Sequence, residues 1–225
     1  MMVSVCEEYG KEMNLEFSTD PVPAKSKTKC ILFSGSTKRV SYPKAIMLDG
    51  KELPWVEQGE HLGHILSQTL STEPDCRRAR ASFMTRASDI RDQLYFAHPE
   101  QQLKAIQLTC CDAYGSMLWD FQSPAAKQFF KAWNIQVRQA WRVPRNTFTY
   151  LVEGYFASNF TPVRDMIYSR YAKFTQSLSA SRSKEVQFMF RLMQHDPRSV
   201  TRKNIVHIKE ITKTHIHNMS VSEVK

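Results

Sequence analysis

Apolar residues recur at helical spacing through the middle of the chain, in two runs separated by His98-Pro99. The first run follows Ser71-Thr72-Glu73-Pro74, where a hydroxyl cap and an early proline are typical of a helix start. Steps of three and four residues place each set on one side of a helix, so the pattern predicts two antiparallel helices joined by a proline turn. The apolar positions are Ala79, Phe83, Ala87, Ile90 and Leu94 in the first helix, and Leu103, Ile106, Cys110, Ala113 and Met117 in the second.

The C-terminal part of the chain continues this periodicity. Ser123-Pro124 opens a third predicted helix that runs to about Arg142, and Thr161-Pro162 opens a fourth. A shorter helix is predicted over 184–194, after a linker at 179–183. From Arg198 the tail is basic and less patterned, and its ends are expected to fray. The predicted buried sides contain Phe130, Trp133, Val137, Ala140 and Trp141 in the third helix, Ile167, Tyr171, Phe174 and Leu178 in the fourth, and Val186, Phe190 and Met193 in the last.

The first 66 residues have a mixed pattern. Residues 2–13 predict a short helix with apolar residues every four positions. The β-prone runs 29–33 and 44–48 predict strands, and Asp49-Gly50 predicts a tight turn into a return strand at 51–56. Another strand is predicted over 60–66 with Gly63 in its middle, where a glycine indicates a bulge or a close approach by another backbone or a ligand.

These elements predict a mainly helical α+β protein, in which a small β-hairpin segment precedes a helical bundle. We expect three parts: the mixed segment 1–66, a helical bundle at 67–145, and a C-terminal helical region with a basic tail at 146–225.

The composition favours a globular protein with an anionic partner. The 225 residues are 42% hydrophobic and carry a net charge of +9, which favours nucleic acid through phosphate contacts. Five cysteines without regular spacing argue against a secreted disulfide framework. The sequence contains neither a signal-peptide pattern nor an apolar run of membrane-spanning length. We therefore expect an intracellular protein, nuclear or cytoplasmic, with no membrane partner.

Carboxylates and metal ligands are sparse. Polymerase chemistry needs two or more carboxylates that converge on two Mg²⁺ ions, and no two aspartates are adjacent in the sequence. His207, His215 and His217 lie near the C-terminus without accompanying Cys-x-x-Cys pairs, so a metal site is not expected. Cys110-Cys111 is a weak candidate as well, because consecutive cysteines on a helix face apart.

Two basic helices are the more informative feature. At about 100° per residue, a row of cationic and amide side chains falls within roughly an 80° sector of the third helix. The first long helix adds a second basic region. A surface that follows a nucleic-acid backbone needs such rows of phosphate donors, although a solvated charged face is the simpler alternative for one helix alone. The row on the third helix is Lys127, Lys131, Asn134, Arg138 and Arg142, and the first helix carries Arg77, Arg78, Arg80, Arg86 and Arg91.

Several segments resemble non-LTR retrotransposon reverse transcriptases of the jockey/CR1-like sort. The segment CEEYGKEMNLEFSTDPVPAKSKTKCILF is similar to the palm helix and strand known as motif D. LPWVEQGEHLGHIL resembles motif E, the primer-grip hairpin. AKQFFKAWNIQVRQAWRVPRNTFTYLVEGYF and DMIYSRYAKFTQSLSASRSKEV are similar to the thumb and post-thumb region. The resemblance spans roughly residues 5 to 205 by eye. It implies a palm remnant at 1–66 and a thumb-like bundle after it.

The resemblance also implies roles for individual residues. Lys27 aligns with the motif D lysine, which assists protonation of the leaving pyrophosphate, within a register uncertainty of two positions set by Lys25 and Lys29. Leu62 and Gly63 match the primer-grip Leu-Gly, where the missing side chain of glycine lets the primer backbone come close. The family's catalytic aspartates, which hold Mg²⁺, would lie upstream of Met1. We therefore expect a truncated polymerase fragment that has no cofactor of its own and binds template–primer, an RNA–DNA hybrid or RNA without catalysis.

Two alternatives remain open at this stage. A helical interaction module is favoured by an aromatic load that exceeds what a short bundle buries, and its partner could be the missing half of the enzyme. Activity in trans with an upstream fingers–palm fragment is the other alternative. The aromatic residues in question are Phe129, Phe130, Trp133, Trp141, Tyr150, Tyr155, Phe156 and Phe160.

Overall fold

The described part of residues 1–75 in the computed structural model contains one helix and two short antiparallel hairpins, and helices make up most of the described part of residues 76–225. The structure describes residues 2–20, 22–23, 25–34, 41–111, 113–149 and 161–211. The two stretches 1–75 and 76–225 are separate compact units. The predicted class, a mainly helical α+β protein with a small β-hairpin segment, is confirmed.

The smaller unit begins with helix α1, Met2–Glu12. Strands β1 (Met47–Leu48) and β2 (Lys51–Glu52) form the first hairpin around Asp49-Gly50, as predicted but shorter. The Asp49 N–H donates to Glu7 Oε1 of α1 at 2.8 Å, which ties this turn to the helix. Strands β3 (Gln58–His61) and β4 (His64–Ser67) form the second hairpin.

The strand predicted over 60–66 is wrong, because the chain reverses at its centre. Leu62 and Gly63 form the two-residue turn between β3 and β4, with φ of 47° and 77°. Two-residue hairpin turns of this kind need positive φ at both positions, since that twist matches the flanking strands. Gly63 is therefore a turn residue rather than a bulge within a strand.

The strand predicted over 29–33 is also wrong. Cys30 makes an isolated parallel bridge with Trp55. Its N–H donates to the Pro54 carbonyl at 3.0 Å, and its own carbonyl accepts from Val56 N–H at 2.9 Å. Proline has no N–H, so the ladder cannot extend from Pro54 back towards Thr28.

The larger unit is built from six helices among the described residues, the first of which starts inside the smaller unit. The apolar runs produce the helices that were predicted, and Ser123 caps its helix by accepting from Ala126 N–H at 3.2 Å. The helices are α2 (Glu73–Gln93), α3 (Pro99–Cys110), α4 (Pro124–Ala140), α5 (Val163–Ser179), α6 (Lys184–His195) and α7 (Val200–Ile211).

Two of the predicted boundaries need correction. The second predicted helix ends at Cys110 rather than reaching Met117, because Gly115 adopts a φ of 75° and a short 3-10 turn follows at Ser116–Leu118. The tail after Arg198, predicted to be poorly patterned, contains α7. Thr201, Asn204 and Ile208 form its buried side, and since two of these three are polar, hydrophobic periodicity could not detect it.

Aromatic rings fill the core of the larger unit. Phe129 of α4 lies 5.1 Å from Trp119 and 5.5 Å from Phe83, measured between ring centroids. Phe121 lies 5.1 Å from Tyr168 and 5.2 Å from Tyr171, both on α5. Described residues before and after position 145 contribute to this one core. None of the helices in the described ranges is both long and apolar enough to cross a bilayer.

A buried amide joins α7 to the backbone between α3 and α4. Asn204 Oδ1 accepts from Phe121 N–H at 3.0 Å, and its Nδ2 donates to the Trp119 carbonyl at 2.7 Å. The Tyr171 hydroxyl donates to the Thr201 carbonyl at 3.2 Å, which fixes the same helix to α5. Asn204 is fully buried, so its amide satisfies two backbone groups that water cannot reach.

Replacing Asn204 by alanine should lower the free energy of unfolding by about 2–4 kcal/mol, because a buried N–H and a buried carbonyl lose their partner. Urea denaturation followed by tryptophan fluorescence measures this. The exposed neighbour Lys203 is the control, since Lys203→Ala should change stability by less than about 0.5 kcal/mol. Equal midpoints for the two variants would show that the amide does not hold the bundle together.

Candidate nucleic-acid interface

The outer side of α4 carries the first part of the predicted basic row. Lys127 and Lys131 are exposed and Asn134 is half-buried. On the opposite side, Phe129 and Trp133 are buried in the core. Residues four apart on a helix lie on the same side about one turn apart. The two lysines therefore present neighbouring ammonium groups to solvent.

The second part of that row is engaged with the protein itself. Arg138 is half-buried, and its Nη1 donates to the Thr147 carbonyl at 3.4 Å. Arg142 Nη2 donates to the Tyr95 carbonyl at 3.5 Å, and its guanidinium carbon lies 4.9 Å from the centroid of the Tyr95 ring. The sequence placed all five residues in one row, whereas the structure divides them into two exposed lysines, one half-buried amide and two anchored guanidinium groups.

Helices α2 and α4 lie side by side and run in the same direction. Phe83 contacts Phe129, and further along Arg91 Nη1 donates to Gln136 Oε1 at 2.7 Å and to Gln139 Oε1 at 2.6 Å. Contacts that advance along both helices indicate that the two run in the same general direction. Arg91, assigned to the basic region by sequence, is thus a half-buried link between the helices.

The arginines of α2 point in different directions around the helix. Arg77 and Arg80 lie, at about 100° per residue, on the same side as Met84 and Arg91, which contact α4. Arg78 and Arg86 fall more than about 100° away from that side. All four are exposed. We call the exposed cations Arg77, Arg80, Lys127 and Lys131 of α2 and α4 the basic face.

The smaller unit holds the remaining predicted site residues. Lys27 is exposed in an irregular segment, which is held by a Thr28 N–H bond to the Ser18 carbonyl at 3.1 Å. Leu62 is 75% exposed at the tip of the β3–β4 hairpin. The structure therefore assigns Lys27, Leu62 and Gly63 to one compact unit and all four residues of the basic face to the other. Their roles in nucleotide chemistry and primer contact stay predictions.

Asp75, in the first turn of α2, holds the second hairpin in place. Its Oδ1 accepts from Ile65 N–H at 3.2 Å, and Oδ2 lies 3.4 Å from His64 Nδ1. A carboxylate is favoured in the first turn of a helix because it faces the positive end of the helix dipole. The sequence Glu73-Pro74-Asp75 indicated a helix start, but no sequence feature predicted that Asp75 would bond to β4.

Metal and thiol chemistry finds little support in the described residues. In the ranges that the structure covers, no three His, Cys, Asp or Glu side chains come together as a metal site would need. His207 Nε2 lies 3.2 Å from the Tyr168 hydroxyl, and His215 and His217 lie outside the described residues. Burial, together with the adjacent Cys110, raises the pKa of the Cys111 thiol to about 12 against the opposing effect of Arg170. A thiol of that kind is a poor nucleophile at neutral pH.

Comparisons with protein-family models, with curated proteins and with solved structures each gave no match. The basic face is accordingly characterised by its own residues: four exposed cations on α2 and α4, whose buried sides lie in an aromatic core.

The backbone at Leu62 predicts an unusual response to substitution. A leucine with φ of 47° is strained, while asparagine visits this conformation readily. Leu62→Asn should therefore raise the free energy of unfolding by roughly 0.5–1 kcal/mol, measured by thermal unfolding.

Leu108 supplies the matched control for that substitution. It is 71% exposed on α3, where the backbone is helical and asparagine is the poorer helix former. Leu108→Asn should slightly lower stability. If Leu62→Asn is destabilising to the same degree, the Leu62 side chain supports the hairpin by packing and the strain argument is wrong.

Proposed function

We propose that this chain binds nucleic-acid duplex, an RNA–DNA hybrid in the first place, through the basic face of α2 and α4, and that it derives from the palm and thumb of a non-LTR retrotransposon reverse transcriptase. The binding is electrostatic and independent of sequence. Polymerisation is not expected from this chain alone, since its sequence contains no adjacent aspartate pair for two-metal chemistry.

The observation that carries the proposal is the exposure of like-charged side chains on a rigid support. Lys127 and Lys131 are exposed one turn apart on α4, and Arg77 and Arg80 are exposed on α2. Neighbouring like charges such as the two lysines repel each other in the free protein, so an anionic partner relieves an electrostatic cost. The phosphates of a duplex are such a partner, and their counterions are released on binding.

The position of the basic face agrees with the resemblance in the sequence. The segment that resembles a polymerase thumb includes α4 with Lys127 and Lys131. The segment that resembles the primer grip forms the β3–β4 hairpin, whose exposed tip is Leu62-Gly63. Both segments thus carry exposed side chains, which supports the proposal that they contact template–primer.

The helical interaction module is less well supported. Phe129 and Trp133 are buried, while Phe130 and Trp141 are half-buried against the core. These four members of the aromatic set are therefore used within the chain. Tyr150, Tyr155, Phe156 and Phe160 lie outside the described residues. An upstream polymerase fragment as a partner stays a prediction.

Replacing both Lys127 and Lys131 by alanine should weaken binding of an RNA–DNA hybrid. The slope of log K against log salt concentration should also become smaller in magnitude by roughly 1.8, because each lost phosphate contact contributes about 0.9. Fluorescence anisotropy between about 50 and 200 mM salt measures both quantities. The Lys203→Ala/Lys209→Ala variant removes the same charge from exposed positions on α7 and should keep the parent slope. Identical slopes for the two double variants, or no binding by the parent chain at low salt, would refute the assignment.

The arginines of α2 provide a second comparison within one helix. Arg77→Ala/Arg80→Ala should weaken binding of the hybrid several-fold, to the same degree for two unrelated sequences, because phosphate contacts carry no sequence information. Arg78→Ala/Arg86→Ala removes equal charge from the other side of α2 and should retain most of the affinity. A larger loss in the second variant would place the duplex on a different surface.

A further inference from the structure

Three aromatic side chains are exposed at the end of the α2–α4 pair. Tyr95 and Phe96 follow the last turn of α2, and 65% and 87% of their surface is exposed. Phe148 is 66% exposed, directly after Thr147, whose carbonyl accepts from Arg138 of α4. The apolar side of α2 is already complete at Leu94, so Tyr95 and Phe96 are not needed for the core.

A guanidinium group is fixed against the Tyr95 ring at a conformational cost. Arg142 ends α4 with φ of 53°. Its N–H donates to the Gln139 carbonyl at 3.2 Å, and the Val143 N–H donates to the Arg138 carbonyl at 3.0 Å. This paired pattern normally places glycine at the left-handed position. Arginine here carries strain, and strained backbone with an exposed functional group is typical of binding sites.

We propose that Tyr95, Phe96, Arg142 and Phe148 form a stacking site for the unpaired bases of single-stranded nucleic acid. The proposal rests on the proposed function and extends it from the duplex to an adjoining unpaired strand. Aromatic faces stack with any base, and an arginine beside them supplies both a planar stacking group and a phosphate partner.

Charge and position favour this occupant. The exposed Arg145 lies in the turn at 144–147, just before Phe148, and Arg142 lies on the Tyr95 ring. Cations therefore accompany the exposed rings, as an anionic strand needs. The site also lies just past the C-terminal ends of α2 and α4, the two helices that carry the basic face.

The test compares a single-stranded oligo(dA) that contains one 2-aminopurine with an RNA–DNA hybrid, both bound to the full chain. Phe96→Ala and Phe148→Ala should each weaken single-strand binding by about five-fold or more, as loss of one stacked base does. Both variants should diminish the change in 2-aminopurine fluorescence and leave affinity for the hybrid unchanged. Phe188→Ala is the matched control, since Phe188 is 60% exposed on α6, away from the site.

Arg142→Gly separates binding from folding. Glycine suits the left-handed position, so this variant should be at least as stable as the parent chain while its single-strand affinity falls. The stacking site is overturned if the Phe96 and Phe148 variants bind single strands as tightly as Phe188→Ala does. It is also overturned if the parent chain binds the hybrid but no single strand. If the parent chain binds neither probe, the proposed function fails together with this inference.

Discussion

The buried side-chain amide of Asn204 is the constraint on which the larger unit depends. The backbone at Trp119 and Phe121 belongs to no regular helix, so its N–H and carbonyl groups lack the partners that a helix supplies. Asn204 supplies them from α7. Helix α4 begins at Pro124, directly after this segment, so α7 is hydrogen-bonded to the stretch of chain that leads into α4. Helix α7 thus supports the segment before the candidate interface without carrying any of its residues.

The cations of the bundle fall into two groups. Arg91 and Arg138 are half-buried, and their hydrogen bonds to amide or carbonyl oxygens hold segments of the chain together. Lys127, Lys131, Arg77 and Arg80 are exposed on α2 and α4. Only the second group presents its charge to solvent, so net charge alone is a weak guide to function.

Sequence periodicity predicted α2, α4 and α5 because each has a continuous apolar side and a proline or hydroxyl signal at its start. It failed at α7, where Thr201 and Asn204 take buried positions and the helix is held by hydrogen bonds to distant backbone. It failed again at Leu62-Gly63, since a leucine in the turn concealed the reversal between β3 and β4. The basic row on α4 was predicted in outline. The anchoring of Arg138 and Arg142, and the exposed rings at Tyr95 and Phe96, depend on contacts between helices that no single segment reveals.

Lysine footprinting tests the central claim most directly. The full chain is acetylated with and without an RNA–DNA hybrid at low salt, and the modification of each lysine is read by mass spectrometry. The account predicts that the hybrid protects Lys127 and Lys131 while Lys203 and Lys209 react as before. Equal protection of all four lysines, or protection confined to Lys203 and Lys209, would contradict a duplex bound on the basic face of α2 and α4.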